Sequence, residues 1–122
     1  MKYIPGEKNI GEAGKKARSL VSITGFASFL VFAGFLNGFS TIHGILLSFL
    51  MLYTGFYGFF QAEEGFCGTY AALGRYKSGE GLVKVDNSEK RSLDISKSFE
   101  QNLNSFMMAL AFMIFSLSLY SY

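Results

Sequence analysis

The chain has 122 residues, half of them hydrophobic and only 16% charged, which suits one ordinary domain and is too apolar for a disordered segment. Eleven Lys and Arg against nine Asp and Glu leave a net charge of +2, too small for the basic footprint of a nucleic-acid binder. A single Cys and a single His exclude a disulfide framework and a self-contained Cys/His metal cage.

The N-terminal segment carries Lys2, Lys8, Lys15, Lys16 and Arg18 against Glu7 and Glu12. Asn9-x-x-Glu12 has the form of a capping box, so a helix is expected to start there and run into the apolar stretch behind it. From Ser19 to Ala62 the chain has no Asp, Glu, Lys or Arg. A hydrocarbon core about 30 Å thick needs about 20 helical residues to cross, so this run is long enough to cross twice. Asn37-Gly38-Phe39-Ser40-Thr41 is a cluster of turn formers at its middle. The expected spans are Ser19–Leu36 and Ile42–Phe60, antiparallel neighbours joined by a short loop. A cleaved signal peptide is the competing reading of the first span, but its apolar stretch exceeds the usual signal core of about 7–15 residues.

The segment 63–100 holds all the other charges, six basic and seven acidic. Ser78-Gly79-Glu80-Gly81 reads as a loop, Leu82–Val85 as one short strand, and 78–93 as the least regular part of the chain. Ser98-x-x-Gln101 can cap a third helix, although Asp94 could equally start it. From Gln101 onward charge is absent again, and a third span is expected over Leu103–Tyr120. Tyr53, Tyr57, Tyr120 and Tyr122 suit interfacial levels.

The fold expected is therefore an all-α membrane protein, a transmembrane helical hairpin plus a third transmembrane helix. Its parts are residues 1–76 as the hairpin with its N-terminal segment, 77–100 as a polar connector, and 101–122 as the third span. Lys and Arg lie on the segments before residue 19 and after residue 62 and are missing from 37–41. The positive-inside rule then puts the N-terminus and the connector in the cytoplasm, and the hairpin turn and the C-terminus outside.

Small residues fall at helix-packing spacing in Gly34-x-x-x-Gly38 and Gly44-x-x-x-Ser48, where close backbone approach favours association in lipid. Phe26, Phe29, Phe32, Phe35 and Phe39 form a stripe that reads as lipid-facing or packing surface. Cys67 is the only thiol, in Glu63-Glu64-Gly65-Phe66-Cys67-Gly68. Two carboxylates and the end of a helix beside it would blunt its nucleophilicity, whereas a new short helix opening at Cys67 would act oppositely. His43 is too solitary for a metal site. The spans contain no charged residue, which disfavours an autonomous active transporter. No nucleophile–base pair, phosphate loop or carboxylate dyad is present, so neither an enzyme nor a cofactor is expected.

Asn9-Ile10-Gly11, then Arg18, then an apolar hairpin ending in Thr54-Gly55-Phe56-Tyr57-Gly58 and Gly65-Phe66-Cys67-Gly68-Thr69-Tyr70-Ala71-Ala72-Leu73-Gly74, resembles the YgaP-like transmembrane domain. This is a bacterial inner-membrane family of unknown function, often attached to rhodaneses. Its usual pattern has Asn-(Val/Ile)-Gly, an Arg before the first helix, and Gly-Phe-Cys-Pro-x-Tyr-x-x-Leu-Gly after the second. The likeness covers roughly residues 9–76. Gly68 stands where the family has Pro, two acidic residues precede the motif, a third span follows, and no rhodanese domain is present. The resemblance implies a bacterial inner-membrane hairpin that dimerises or docks, with only Cys67 mapping onto the family's cysteine.

Three functions are consistent with these features. The first is a non-catalytic accessory subunit packing against itself or a larger membrane complex. The others are a sulfur- or thiol-handling membrane partner acting through Cys67, and a small homo-oligomeric channel for a neutral solute.

Overall fold

The computed structural model describes residues 3–78 and 81–120. The expected loop residues Gly79 and Glu80, and the expected interfacial Tyr122, lie outside the described residues. The chain is mostly helical, and three helices are long and apolar enough to cross a membrane.

The first residues form a tight turn closed by a bridge between Ile4 and Lys8, followed by buried Asn9 and Ile10. Helix α1 then covers Glu12–Leu30 and continues as a π-helical turn, Val31–Phe35. It starts at Glu12 and runs into the apolar stretch as expected, with Glu12, Ala13, Lys15, Lys16, Ala17 and Arg18 as good helix formers ahead of the apolar run. The expected capping box does not form: Gly11 is the N-cap and no side chain caps the first turn. Asn9 is engaged elsewhere, as described below.

The break falls where the sequence predicts it. Asn37 takes the left-handed conformation at φ 54°, which Asn tolerates better than other residues bearing a side chain. A single 3-10 turn, Gly38–Ser40, follows. Thr41 then caps α2 (Ile42–Glu64), its Oγ1 accepting from the Gly44 amide at 3.0 Å. Helix α2 runs a turn past the expected Phe60 and stops at Gly65, whose φ of 66° suits a residue without a Cβ.

Helices α1 and α2 lie side by side with their residue order reversed. Arg18 meets Gln61, a Cβ on Gly58 would stand 3.0 Å from the Ser22 amide, and one on Gly25 would stand 2.8 Å from the Gly55 amide. Contact this close requires glycine on both sides, as in membrane helix pairs generally.

After Gly65 the chain forms a one-turn helix α3 (Gly68–Ala72) and an antiparallel pair, β1 (Arg75–Ser78) and β2 (Gly81–Lys84), in register Arg75 to Lys84. Helix α4 then covers Ser88–Tyr120. The segment 78–93 is thus more regular than expected, because the pair is extended by the Asn9 carbonyl, which accepts from the Lys77 amide at 2.9 Å. The start of α4 is set by Asn87, whose Oδ1 accepts from the Glu89 and Lys90 amides at 2.8 and 3.1 Å. Neither Asp94 nor Ser98 starts a helix; both are buried within α4. At 33 residues, α4 is about 50 Å long, more than a bilayer core demands.

Helix α4 packs against α2, with Phe49 edge-on to Phe106 and Tyr53 donating to Asn102 Oδ1 at 2.5 Å. Phe29, Phe39, Leu52, Phe56, Ala109 and Met113 form the shared apolar core. At the far end Tyr120 meets Phe39 edge-on, so α4 ends at the level of the 37–41 turn. The outward faces of all three helices are apolar and exposed, with Phe35 82% and Phe99 69% accessible.

Candidate functional site

Three polar side chains, Asn9, Ser98 and Gln101, converge on three consecutive residues, Phe66, Cys67 and Gly68, all buried. Asn9 spans both polar groups of Cys67. Its Nδ2 donates to the Cys67 carbonyl at 3.0 Å, and its Oδ1 accepts from the Cys67 amide at 2.6 Å. From the other side Gln101 repeats the arrangement one residue out of step. Its Nε2 donates to the Phe66 carbonyl at 2.9 Å and its Oε1 accepts from the Gly68 amide at 3.1 Å. Ser98 completes the clamp by donating to the Gly68 carbonyl at 2.8 Å. Each backbone group here leaves water on folding, and leaving one unpaired would cost about 1–3 kcal/mol.

Gly68 is closely surrounded by side chains. A Cβ would stand 2.6 Å from the Tyr57 hydroxyl and 3.0 Å from Gln101 Oε1, and its amide is a donor that Pro could not supply. The acceptor for that amide comes from Gln101 on α4.

The Cys67 side chain points into α1. Its sulfur accepts from Arg18 Nη2 at 3.4 Å, while Arg18 Nε donates to Gln61 Oε1 at 3.0 Å and the guanidinium lies 5.2 Å from the centre of the Tyr70 ring. Cys67 is the N-cap of α3 and does not close α2. The expectation of two carboxylates crowding the thiol is corrected: Glu63 is exposed, and Glu64 pairs with Lys97 on α4. The reason is local, since α2 ends at Glu64 and the left-handed Gly65 redirects the chain. The sulfur thus faces a cation and is only 2% exposed.

The N-terminal turn covers the clamp. The Gly65 carbonyl accepts from the amides of both Asn9 and Ile10 at 3.0 and 3.3 Å. Buried Asp94 on α4 accepts from the Tyr3 hydroxyl at 2.5 Å and the Gly6 amide at 2.7 Å. Tyr3 stacks on Tyr76 at 4.1 Å. Burial first, then the hydrogen bond to Asp94 and its charge, push the Tyr3 hydroxyl well above its ordinary pKa.

The remaining sequence candidates are placed apart from this cluster. A Cβ on Gly34 would meet nothing within 4 Å, and Gly44 in the first turn of α2 packs against Gly38 in the preceding turn. Ser48 is buried in α2, and its Oγ has no hydrogen-bond partner among the described residues. The phenylalanine stripe divides, Phe29 and Phe39 being buried while Phe35 faces outward. His43 is exposed. Among the described residues no three His, Cys, Asp or Glu converge as a metal site.

The close contacts between α1 and α2 come from Gly25, Gly55 and Gly58, not from the Gly34 and Gly44 pairs. A period of three and four residues through Ser48, Leu52, Gly55 and Gly58 carries that signal. Asn9, Ser98 and Gln101 have no comparable local signal, because their partners lie 58, 30 and 35 residues away. No protein-family model, curated protein or solved structure matches the chain.

Proposed function

We propose that this chain is a non-catalytic integral membrane protein, an antiparallel transmembrane hairpin joined by a third span, that serves as an accessory subunit. It packs against its own copies or a larger membrane complex. The observation that carries this reading is how the polar groups are used. Asn9, Ser98 and Gln101 are consumed in fixing backbone inside the chain, while the surface left for partners is the apolar flank of the helices. On the outer side of α1 and α2 that flank includes a groove of about 500 Å³ floored by Thr24, Gly25 and Thr54. The basic segments at one end support a cytoplasmic N-terminus, with the 37–41 turn and the C-terminus outside. The likeness to the YgaP-like family belongs to the same proposal and supports a bacterial inner membrane.

Purification of the chain in mild detergent, followed by mass spectrometry of what accompanies it, tests the accessory role. A stoichiometric partner or a defined homo-oligomer is expected. A lone, monomeric chain would contradict it.

The contact between Arg18 and the Cys67 sulfur favours a second reading, a thiol- or sulfur-handling partner. On that reading Cys67 must become accessible when the N-terminal turn lifts. Capture of the thiol by a low-molecular-weight disulfide in the folded protein would support it.

A further inference from the structure

The groove between α1 and α2 is walled by Leu20, Leu47 and Leu50, and its floor lies at Gly25, where the two backbones touch. From Leu20 to Ser28 it runs about 12 Å along α1 at 1.5 Å per residue. Arg18 stands at its head. Arg18, Val21, Gly25 and Ser28 follow one another at three- and four-residue steps, so they share one side of α1. The Arg18 carbonyl and Val21 Cγ1 both approach the place a Cβ on Gly58 would take, at 2.9 and 3.2 Å, and Arg18 Nε donates to Gln61 three residues further along α2. The apolar groove therefore ends at a guanidinium.

Two more cations are drawn to the same end. A Cβ on Gly65 would stand 2.9 Å from Lys15 Cε, 3.7 Å from its Nζ and 3.8 Å from Lys8 Cγ, and Arg18 Nη2 reaches the Cys67 sulfur two residues on. The acids nearby do not balance them. Glu64 is turned to Lys97, and Glu12 meets Lys15 only at 3.5 Å from a position 84% exposed. Glu7 and Glu63 are exposed, with no ion pair among the described residues. Cations held this close repel one another unless an anion lies between them. A guanidinium has five donors, and the bonds to Gln61 and Cys67 use two of Arg18's. Arg18 is also the last charged residue before the apolar run, the level at which a bilayer's headgroups begin.

We propose that this groove holds one acyl chain of an anionic phospholipid, whose phosphate is bound by Lys8, Lys15 and Arg18. The proposal rests on the reading of α1 and α2 as membrane spans. An apolar groove leading into a basic cluster matches a molecule with an apolar chain and an anionic head, as basic pockets between membrane helices do. A zwitterionic headgroup would bring its own cation to the same place, so the anionic lipid is preferred.

The test is native mass spectrometry of the purified full chain with phosphatidylglycerol and phosphatidylcholine of equal chain length. One phosphatidylglycerol per chain should be retained, about tenfold more strongly than phosphatidylcholine. Lys8→Gln and Lys15→Gln should each weaken its retention about fivefold, the effect of one Lys or Arg beside an anionic lipid surface. Lys15→Arg should keep it, and Lys84→Gln, which removes a cation on β2, should leave it unchanged. Thr54→Phe fills the groove without touching a charge and should lower retention of both lipids. Equal retention of the two lipids, equal losses in Lys84→Gln and Lys15→Gln, or indifference to Thr54→Phe would overturn the proposal. So would displacement of phosphatidylglycerol by millimolar inorganic phosphate, which would mark a site for the free anion. Release of the parent chain from native membranes by alkaline carbonate would instead overturn the membrane reading beneath it.

Discussion

The Asn9 carboxamide engages both backbone polar groups of Cys67, at 2.6 and 3.0 Å, across 58 residues of sequence. This one pair ties the start of the chain to the turn between α2 and α3, and with it the cover over the only thiol. Replacing Asn9 by Ala should leave the buried Cys67 amide without a partner, while the Cys67 carbonyl keeps the Ala71 amide at 3.1 Å. The expected loss is about 1–3 kcal/mol of stability, read as a lower midpoint of thermal unfolding in detergent. Asn9→Asp keeps the acceptor toward the Cys67 amide and loses the donor, so it should fall between the two.

Cys67 provides a second test. Its sulfur is buried against Arg18, and Asn9 holds the backbone that carries it, so access and not intrinsic reactivity should limit its modification. Maleimide labelling of the native chain should be slow, and should accelerate at least tenfold in Asn9→Ala as the cover loosens. Cys67→Ala should cost about 1–2 kcal/mol, because a small volume is removed and the Arg18 guanidinium is deprived of its sulfur acceptor. Rapid labelling of the parent chain would favour the thiol-handling reading.

The turn at 37–41 was legible in the sequence because Asn and Gly announce their own backbone conformation, and the three long apolar helices were legible because they follow the charge-free runs. The clamp was not. Asn9, Ser98 and Gln101 sit in motifs that resemble helix caps, and a local motif offers no sign that a partner 30 or more residues away will win the side chain. Asn87 caps α4 through short local bonds, yet the polar residues around it read as loop. Likewise the GxxxG spelling of Gly34 and Gly38 marks a turn, and the working glycines, Gly25 and Gly55, are identified only once the two helices are side by side.

Those glycines should respond unequally to the same change. Gly25→Ala and Gly55→Ala would place a methyl group within 2.8 Å of the facing helix, and overpacking of this kind costs about 1–3 kcal/mol. Gly34→Ala enters open space and should be neutral or slightly stabilising, since Ala favours helix. Unfolding of the three variants in one detergent would compare them, and equal effects would contradict the helix packing described above.

The N-terminal turn should loosen in alkali. The pKa of Tyr3 is raised above its ordinary value of 10.0 by burial and then by Asp94. Its contribution is therefore complete below about pH 10 and is lost as pH rises through the higher folded value. The stability difference between the parent chain and Tyr3→Phe should accordingly be flat from neutral pH to about pH 10 and shrink above it. A difference that grew with pH would contradict the hydrogen bond to Asp94.

The most direct measurement is the sidedness of the chain in intact cells. Cysteines placed at Lys16, Lys84, Ser40 and Tyr120, one at a time, are exposed to a membrane-impermeant maleimide. Labelling from outside is predicted at Ser40 and Tyr120, with Lys16 and Lys84 labelled only after permeabilisation. Labelling of Lys84 from outside, or protection of Ser40, would contradict the three-span arrangement.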